Sequence, residues 1–247
     1  MSHRVTFLWT VPRSVSTSFE RMMMERGDHV VFDEPFSRAY YFGPDRQSPR
    51  YTETLPDSSV AEILAQIDEA ARERPVFVKD MAYQAVTVLG PDLLKRFHNC
   101  FLVRDPAATI RSLARRWPDF TDDETGWSHL GQVASLVESL GQQRVVLDAN
   151  LLCADPPAVV EEWCRRMDLP YLEEAMTWEG GMRDEWELWS EWHDSTTSAT
   201  GFAPLREPPP PPTPDEPRLH EAYQAALPLY LKLRADAITG TGEGRRL

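Results

Sequence analysis

Hydroxyl and guanidinium groups crowd one short stretch of this 247-residue sequence. Residues 7–22, FLWTVPRSVSTSFERM, pass from an apolar run through a polar turn into helix-forming residues. The first N–H groups of a helix lack intrahelical acceptors, and its dipole favours an anion beside them. Ser14, Ser16, Thr17 and Ser18 add hydroxyl donors there, and Arg13 adds a planar guanidinium suited to phosphate or sulfate oxygens. The turn holds neither glycine nor lysine, so it departs from the G-x-x-x-x-G-K-S/T loop of nucleoside triphosphatases. An ordinary helix capped by Ser14 or Ser16 is the alternative reading.

Other reactive side chains end further apolar runs. Residues 100–113, CFLVRDPAATIRSL, place Arg104 at the end of one run, Asp105 and Pro106 at a helix start, and Ser112 two turns in. The alternative for Arg104 is a local pair with Asp105. Lys79 closes the run PVFVK, and Glu34 sits in VVFDEPFS, where burial beside Phe32, Pro35 and Phe36 would favour a protonatable carboxyl. Asp80 is the rival carboxylate, and capping of the turn before Pro35 is the simpler role for Asp33 and Glu34. Aromatic residues gather at Phe36, Tyr40, Tyr41 and Phe42, and again at Trp178, Trp186, Trp189 and Trp192. The three-residue spacing of the last three reads as a packing face. His193 is a candidate to orient a substrate or to act as a third base, and Gly180-Gly181 could hinge a lid.

Short strands must position these groups. Apolar runs at 4–11, 29–32, 75–79, 98–103 and 144–148 have strand length. Helical spacing occupies 16–26, 58–74, 91–97, 107–117, 126–140 and 157–167. The alternation predicts an α/β fold: a three-layer, mostly parallel sheet flanked by helices on both faces. In such sheets ligands bind beyond the carboxyl ends of the strands. The expected organisation is an α/β domain over 1–205, a proline-rich connector over 206–214, and a C-terminal helix and disordered tail over 215–247. Five consecutive prolines at 208–212 favour polyproline II and would space the last helix, about 215–238, away from the body.

Pro12-Arg13-Ser14-Val15-Ser16-Thr17 resembles the 5′-phosphosulfate loop of PAPS-dependent sulfotransferases, with Val15 where that family usually has glycine. The interval from Arg104 to Ser112 resembles the family's 3′-phosphate motif. The resemblance covers roughly residues 4–170 and implies a P-loop NTPase-like topology. It implies that Arg13, Ser14, Ser16, Thr17, Ser18, Arg104 and Ser112 bind PAPS. Lys79 resembles the family lysine that clamps the leaving group alongside Arg13. The histidine common two residues beyond that lysine is Met81 here, which leaves Glu34, similar in place to the glutamate of some bacterial carbohydrate sulfotransferases, as the expected base. Phe36, Tyr41, Asp80, Tyr83 and His193 are the expected acceptor-binding residues. The implied reaction moves a sulfuryl group from PAPS to a hydroxyl or amine of a small molecule, yielding PAP and needing no metal. A P-loop kinase or hydrolase and a non-catalytic nucleotide-binding protein are the competing readings.

Composition sets the outer limits. Lys and Arg number 26 against 39 Asp and Glu, a formal charge of −13, which argues against a nucleic-acid partner. No apolar run approaches the roughly 20 residues of a membrane span, and no secretory signal is recognisable. Cys100, Cys153 and Cys164 form no C-x-x-C pair. A cytoplasmic protein with reduced, buried thiols is expected, and a homodimer is left open.

Overall fold

The computed structural model describes residues 3–240. Strands β1 (Val5–Thr10), β2 (Val30–Asp33), β3 (Val76–Met81), β4 (His98–Val103) and β5 (Val145–Asp148) form one sheet in the order β2-β3-β1-β4-β5. Every pairing is parallel. The fold is therefore α/β with a P-loop-like parallel sheet. Helices connect the strands: α1 (Ser16–Glu25), α2 (Pro35–Phe42), α3 (Val60–Glu73), α4 (Pro91–Leu94), α5 (Pro106–Arg116), α6 (Trp127–Ser139), α7 (Ala149–Ala154) and α8 (Pro156–Arg166). Past them lie the one-turn α9 (Asp194–Thr197) and the long α10 (Pro217–Arg234).

Side-chain alternation along the strands divides the core into two layers. Phe7, Trp9, Val76, Val78, Phe101, Val103 and Val146 face α3, α5, α6 and α10. Leu8, Phe77, Cys100, Leu102, Val145 and Leu147 face α1 and α8. Both faces are thus covered, as a parallel sheet requires. Aspartates open two of the helices that leave the carboxyl edge: Asp105 accepts from the N–H groups of Ala107 and Ala108, and Asp148 from those of Asn150 and Leu151. All three cysteines are buried and unbonded to one another. No helix among the described residues is long and apolar enough to cross a membrane.

Three features depart from the sequence reading. Helix α2 occupies residues left without assignment, and α7 follows β5 directly; Pro35 and Asp148 start them. Helix α3 begins later than the 58–74 range of helical spacing: its cap is Ser59, which forms a capping box with Glu62, while Ser58 is buried against the Phe42 and Leu55 carbonyls. The proline segment does not hold the last helix away from the body. Ala222, Tyr223, Ala226, Tyr230 and Leu233 of α10 are buried in the main core. Arg111 fastens the connector through the Pro210 carbonyl and both Glu216 oxygens. The physical reason is apolar burial: α10 packs against α5 and α6 and buries these side chains in the same core layer. The tail from 241 onward lies outside the described residues.

Candidate active site

Parallel pairing brings five carboxyl ends to one edge, and a cleft of about 250 Å³ opens there. Its floor is the turn that follows β1. Arg13 and Val15 both hold positive φ, at 65° and 73°, on either side of Ser14. Such left-handed positions curl a turn into a concavity of N–H groups. Val15 is the residue immediately before α1 and supplies no side-chain cap. The capping role expected of Ser14 or Ser16 is therefore not taken up; Ser14 is fully buried and its hydroxyl pairs with Thr10. The first turn of α1 is left facing the cleft, lined by Ser16, Thr17 and Ser18.

Arginines form one wall. Arg13 donates from Nε to Ser112 Oγ at 3.1 Å and from Nη1 to the Trp192 carbonyl at 3.1 Å. Arg104 donates from Nη1 to the Arg13 carbonyl at 3.0 Å, which braces the turn. Its Nε is buried and finds no partner among the described residues. Burial holds this guanidinium below its ordinary pKa despite nearby Cys153 and Asp105. A buried donor without an acceptor is costly, so an anion beside Arg104 would be stabilising.

Glu34 lines the opposite wall, with the buried carboxylates of Asp33 and Glu20 behind it. Strand alternation turns Lys79 toward α1, where its ammonium meets Asp33, Glu34 Oε1 at 2.8 Å and Glu20 Oε2 at 3.7 Å. Lys79 is wholly buried. Burial opposes its charge, but the three carboxylates outweigh burial and raise its pKa. Gln84 donates to Glu34 Oε2 at 3.0 Å. Glu34 takes a left-handed φ of 43° and lines the cleft. Burial, then the Asp33 charge, pushes the Glu20 carboxyl well up, and its Oε1 has no partner among the described residues. His193 lies 3.1 Å from Asp33 Oδ2 through Nε2 and 3.1 Å from Thr17 Oγ1 through Nδ1.

The model of the sulfotransferase domain matches residues 4–237. The chain belongs to the sulfotransferase-domain family. The sulfotransferase domain of an olefin synthase from Synechococcus PCC 7002 superposes with a TM-score of 0.55 at 16% identity, covering 91% of this chain and 96% of that one. A sulfotransferase domain from the curacin biosynthetic pathway gives a TM-score of 0.49 at 15% identity, covering 91% and 98%. Two Arabidopsis thaliana proteins named branched-chain-amino-acid aminotransferase-like proteins 2 and 1 are 26% and 25% identical over 238 and 233 residues. Those alignments take in 93% and 92% of this chain but 41% of each relative.

Within this sulfotransferase domain the cleft unites Arg13, Ser14, Ser16, Thr17, Ser18, Glu34, Tyr41, Tyr83, Arg104 and His193. Four expected residues lie elsewhere. Phe36 is fully buried on the sheet face against Phe7, because the first turn of α2 points it inward. Asp80 is wholly buried and accepts from the Phe36 and Met81 N–H groups, so it fixes α2 rather than meeting an acceptor. Burial and the Glu34 charge push its carboxyl well up. Lys79 is enclosed by its three carboxylates, and Ser112 stands behind Arg13 rather than in the cleft wall.

The sequence reading missed Glu20, Gln84 and Trp117. Glu20 is buried where α1 packs against β2 and meets Trp186 of the 184–192 helix. Trp186, Trp189 and Trp192 lie on a 3-10 helix, Asp184–Trp192, in which a three-residue spacing shares one face. Trp186 enters the core and donates to Glu20 Oε2 at 3.2 Å. Trp189 and Trp192 join Trp117, Tyr41 and Tyr83 around the mouth of the cleft. At the Gly180-Gly181 pair, Gly181 donates to the Thr197 carbonyl at 2.8 Å.

Proposed function

We propose that the domain transfers a sulfuryl group from PAPS to a hydroxyl or amine of a small-molecule acceptor, giving PAP and a sulfate ester or sulfamate. The observation that carries this reading is a single cleft with an uncapped helix start and an under-satisfied arginine on one side and the Glu34 carboxylate on the other. When bound, PAPS supplies the sulfuryl group and a phosphate leaving group. The hydroxyls of Ser16, Thr17 and Ser18, with the N–H groups of the turn, hold the 5′ end. Arg104, whose Nε has no partner among the described residues, holds the 3′-phosphate, and Ser112 serves by steadying Arg13.

Glu34 accepts the proton of the acceptor group while Lys79 and Gln84 keep its oxygens in place. Arg13 and the start of α1 stabilise charge that develops on the departing phosphate. Lys79 works through Glu34 and Asp33 rather than by touching the donor. The aromatic mouth of Tyr41, Tyr83, Trp117, Trp189 and Trp192 suits an acceptor with an apolar or ring-bearing body.

Calorimetry with PAP in the presence of a chelator tests donor recognition. Incubation with PAPS and a panel of hydroxylated and amino compounds, read by mass for an added sulfuryl group, tests transfer. Binding of PAP and a sulfated product are the expected results. Binding of magnesium-ATP with no affinity for PAP would overturn the reading in favour of a nucleotide kinase or hydrolase.

A further inference from the structure

A line of hydrogen bonds joins the turn after β1 to the carboxylate cluster through residues of three separate elements. Thr17 comes from α1, Asp33 from β2, and His193 from the loop that carries the tryptophans. Burial alone would raise the Asp33 carboxyl, but the Lys79 charge and the His193 hydrogen bond outweigh it and hold the group below its ordinary value. Asp33 is therefore an ionised acceptor, and His193 Nε2 must carry the proton between them. In neutral His193 the other nitrogen, Nδ1, can only accept. The Thr17 hydroxyl then commits its one proton to Nδ1 and has none for a ligand. In protonated His193, Nδ1–H donates to Thr17 Oγ1, and the hydroxyl proton is released toward the cleft.

Charge points the same way. His193 meets Asp33 of β2, which shares the Lys79 ammonium of β3 with Glu20 of α1 and with Glu34, a fellow lining residue of the cleft. The Trp186 ring lies 5.2 Å away, and Arg13 reaches the carbonyl of the adjoining Trp192. Even without counting Glu20, whose carboxyl burial pushes well up, Asp33 and Glu34 outnumber the one Lys79 ammonium, and a polyanion arriving at the turn deepens the local negative excess. A proton on His193 offsets one unit of it.

We propose that an anion entering the turn at residues 13–18 is bound together with one proton, taken from solvent onto His193 Nδ1 and relayed to the anion as a freed Thr17 hydroxyl. The inference rests on the reading that a phosphosulfate end group binds at this turn, and it adds the ionic form in which that happens. His193 is a positioning residue: it never touches the reacting atoms and acts through Thr17. Covalent bonds other than the new N–H are unchanged.

Calorimetry of PAP binding to the whole chain, in two buffers of different ionisation enthalpy, reads the proton directly. The range from about pH 7 to 9 lies above the second phosphate pKa of about 6, so the ligand contributes little. Binding heat that depends on the buffer, equivalent to uptake approaching one proton, is the expected result. Affinity should also fall as pH rises, by up to about tenfold per unit for uptake of one proton. His193→Gln and Thr17→Val should both bind PAP more weakly, with little buffer dependence and a flatter pH profile. The wild-type measurement is decisive even if a variant fails to fold. PAP binding with no buffer-dependent heat overturns the coupling and leaves the sulfotransfer reading standing. Uptake that persists unchanged in a folded His193→Gln does the same. No PAP binding at all overturns both.

Discussion

Glu34 serves two partners at once: it anchors Lys79 and Gln84 inside the protein and presents an edge to the cleft. If it is the base, Glu34→Gln keeps the shape and removes the proton acceptor. Turnover should fall by about 10²–10⁴-fold, measured as sulfated product per enzyme; a loss below about fivefold would take Glu34 out of the mechanism. Arg104 offers a second residue-level test. Charged hydrogen bonds contribute about 1.5–3 kcal/mol, so Arg104→Ala should weaken PAP by roughly ten- to a hundredfold. Adenosine 5′-phosphosulfate, which lacks the 3′-phosphate, should lose much less, and equal losses would remove the assigned role. Asp33 makes a statement about pH. Its native pKa is depressed, so its stabilisation is fully present above the unfolded value of about 3.9 and is lost as pH falls through the lower native value. Acid titration of the denaturation midpoint should therefore show a limb below about pH 4 that shrinks in Asp33→Asn.

The turn between β1 and α1 shows strain at the level of an element. A β-branched residue at φ 73° sits where backbone sterics favour glycine. Val15→Gly should remove that cost, offset in part by the greater entropy of glycine in the unfolded chain. The expected net gain is up to about 1 kcal/mol, or a rise in Tm of roughly 2–4 °C for a chain of this size. A fall in Tm would mean that Val15 packing against the α1 layer outweighs the strain. The 3-10 helix of the tryptophans is the complementary case. Its spacing was plain in the sequence, but which ring enters the core and which faces the cleft depends on the kink at Trp189 and on the partners Glu20 and Ser37.

At the scale of the whole molecule, α10 closes one layer of the core rather than trailing behind it. Tyr230 donates to Asp148 at 2.9 Å, which ties the helix to the end of β5. Leu233→Ala should cost about 2–5 kcal/mol, read from the denaturant midpoint, because a buried leucine leaves a cavity. A cost below about 0.5 kcal/mol, typical of surface substitutions, would show α10 to be dispensable. The alternation of short apolar runs with amphipathic stretches determined the parallel α/β sheet by itself, since period and length are local properties of the chain. The turn over 12–18, Arg104 and Glu34 were legible for the same reason: each directly follows an apolar run, and in a parallel sheet those ends share an edge. Only the tertiary structure decided that Lys79 and Asp80 turn away from the cleft, that Gln84 joins it while Glu20 is buried beneath it against Lys79, and that His193 reaches Asp33 across 160 residues of chain. Those outcomes depend on which sheet face a side chain takes and on what packs there, and no single segment of sequence contains that information.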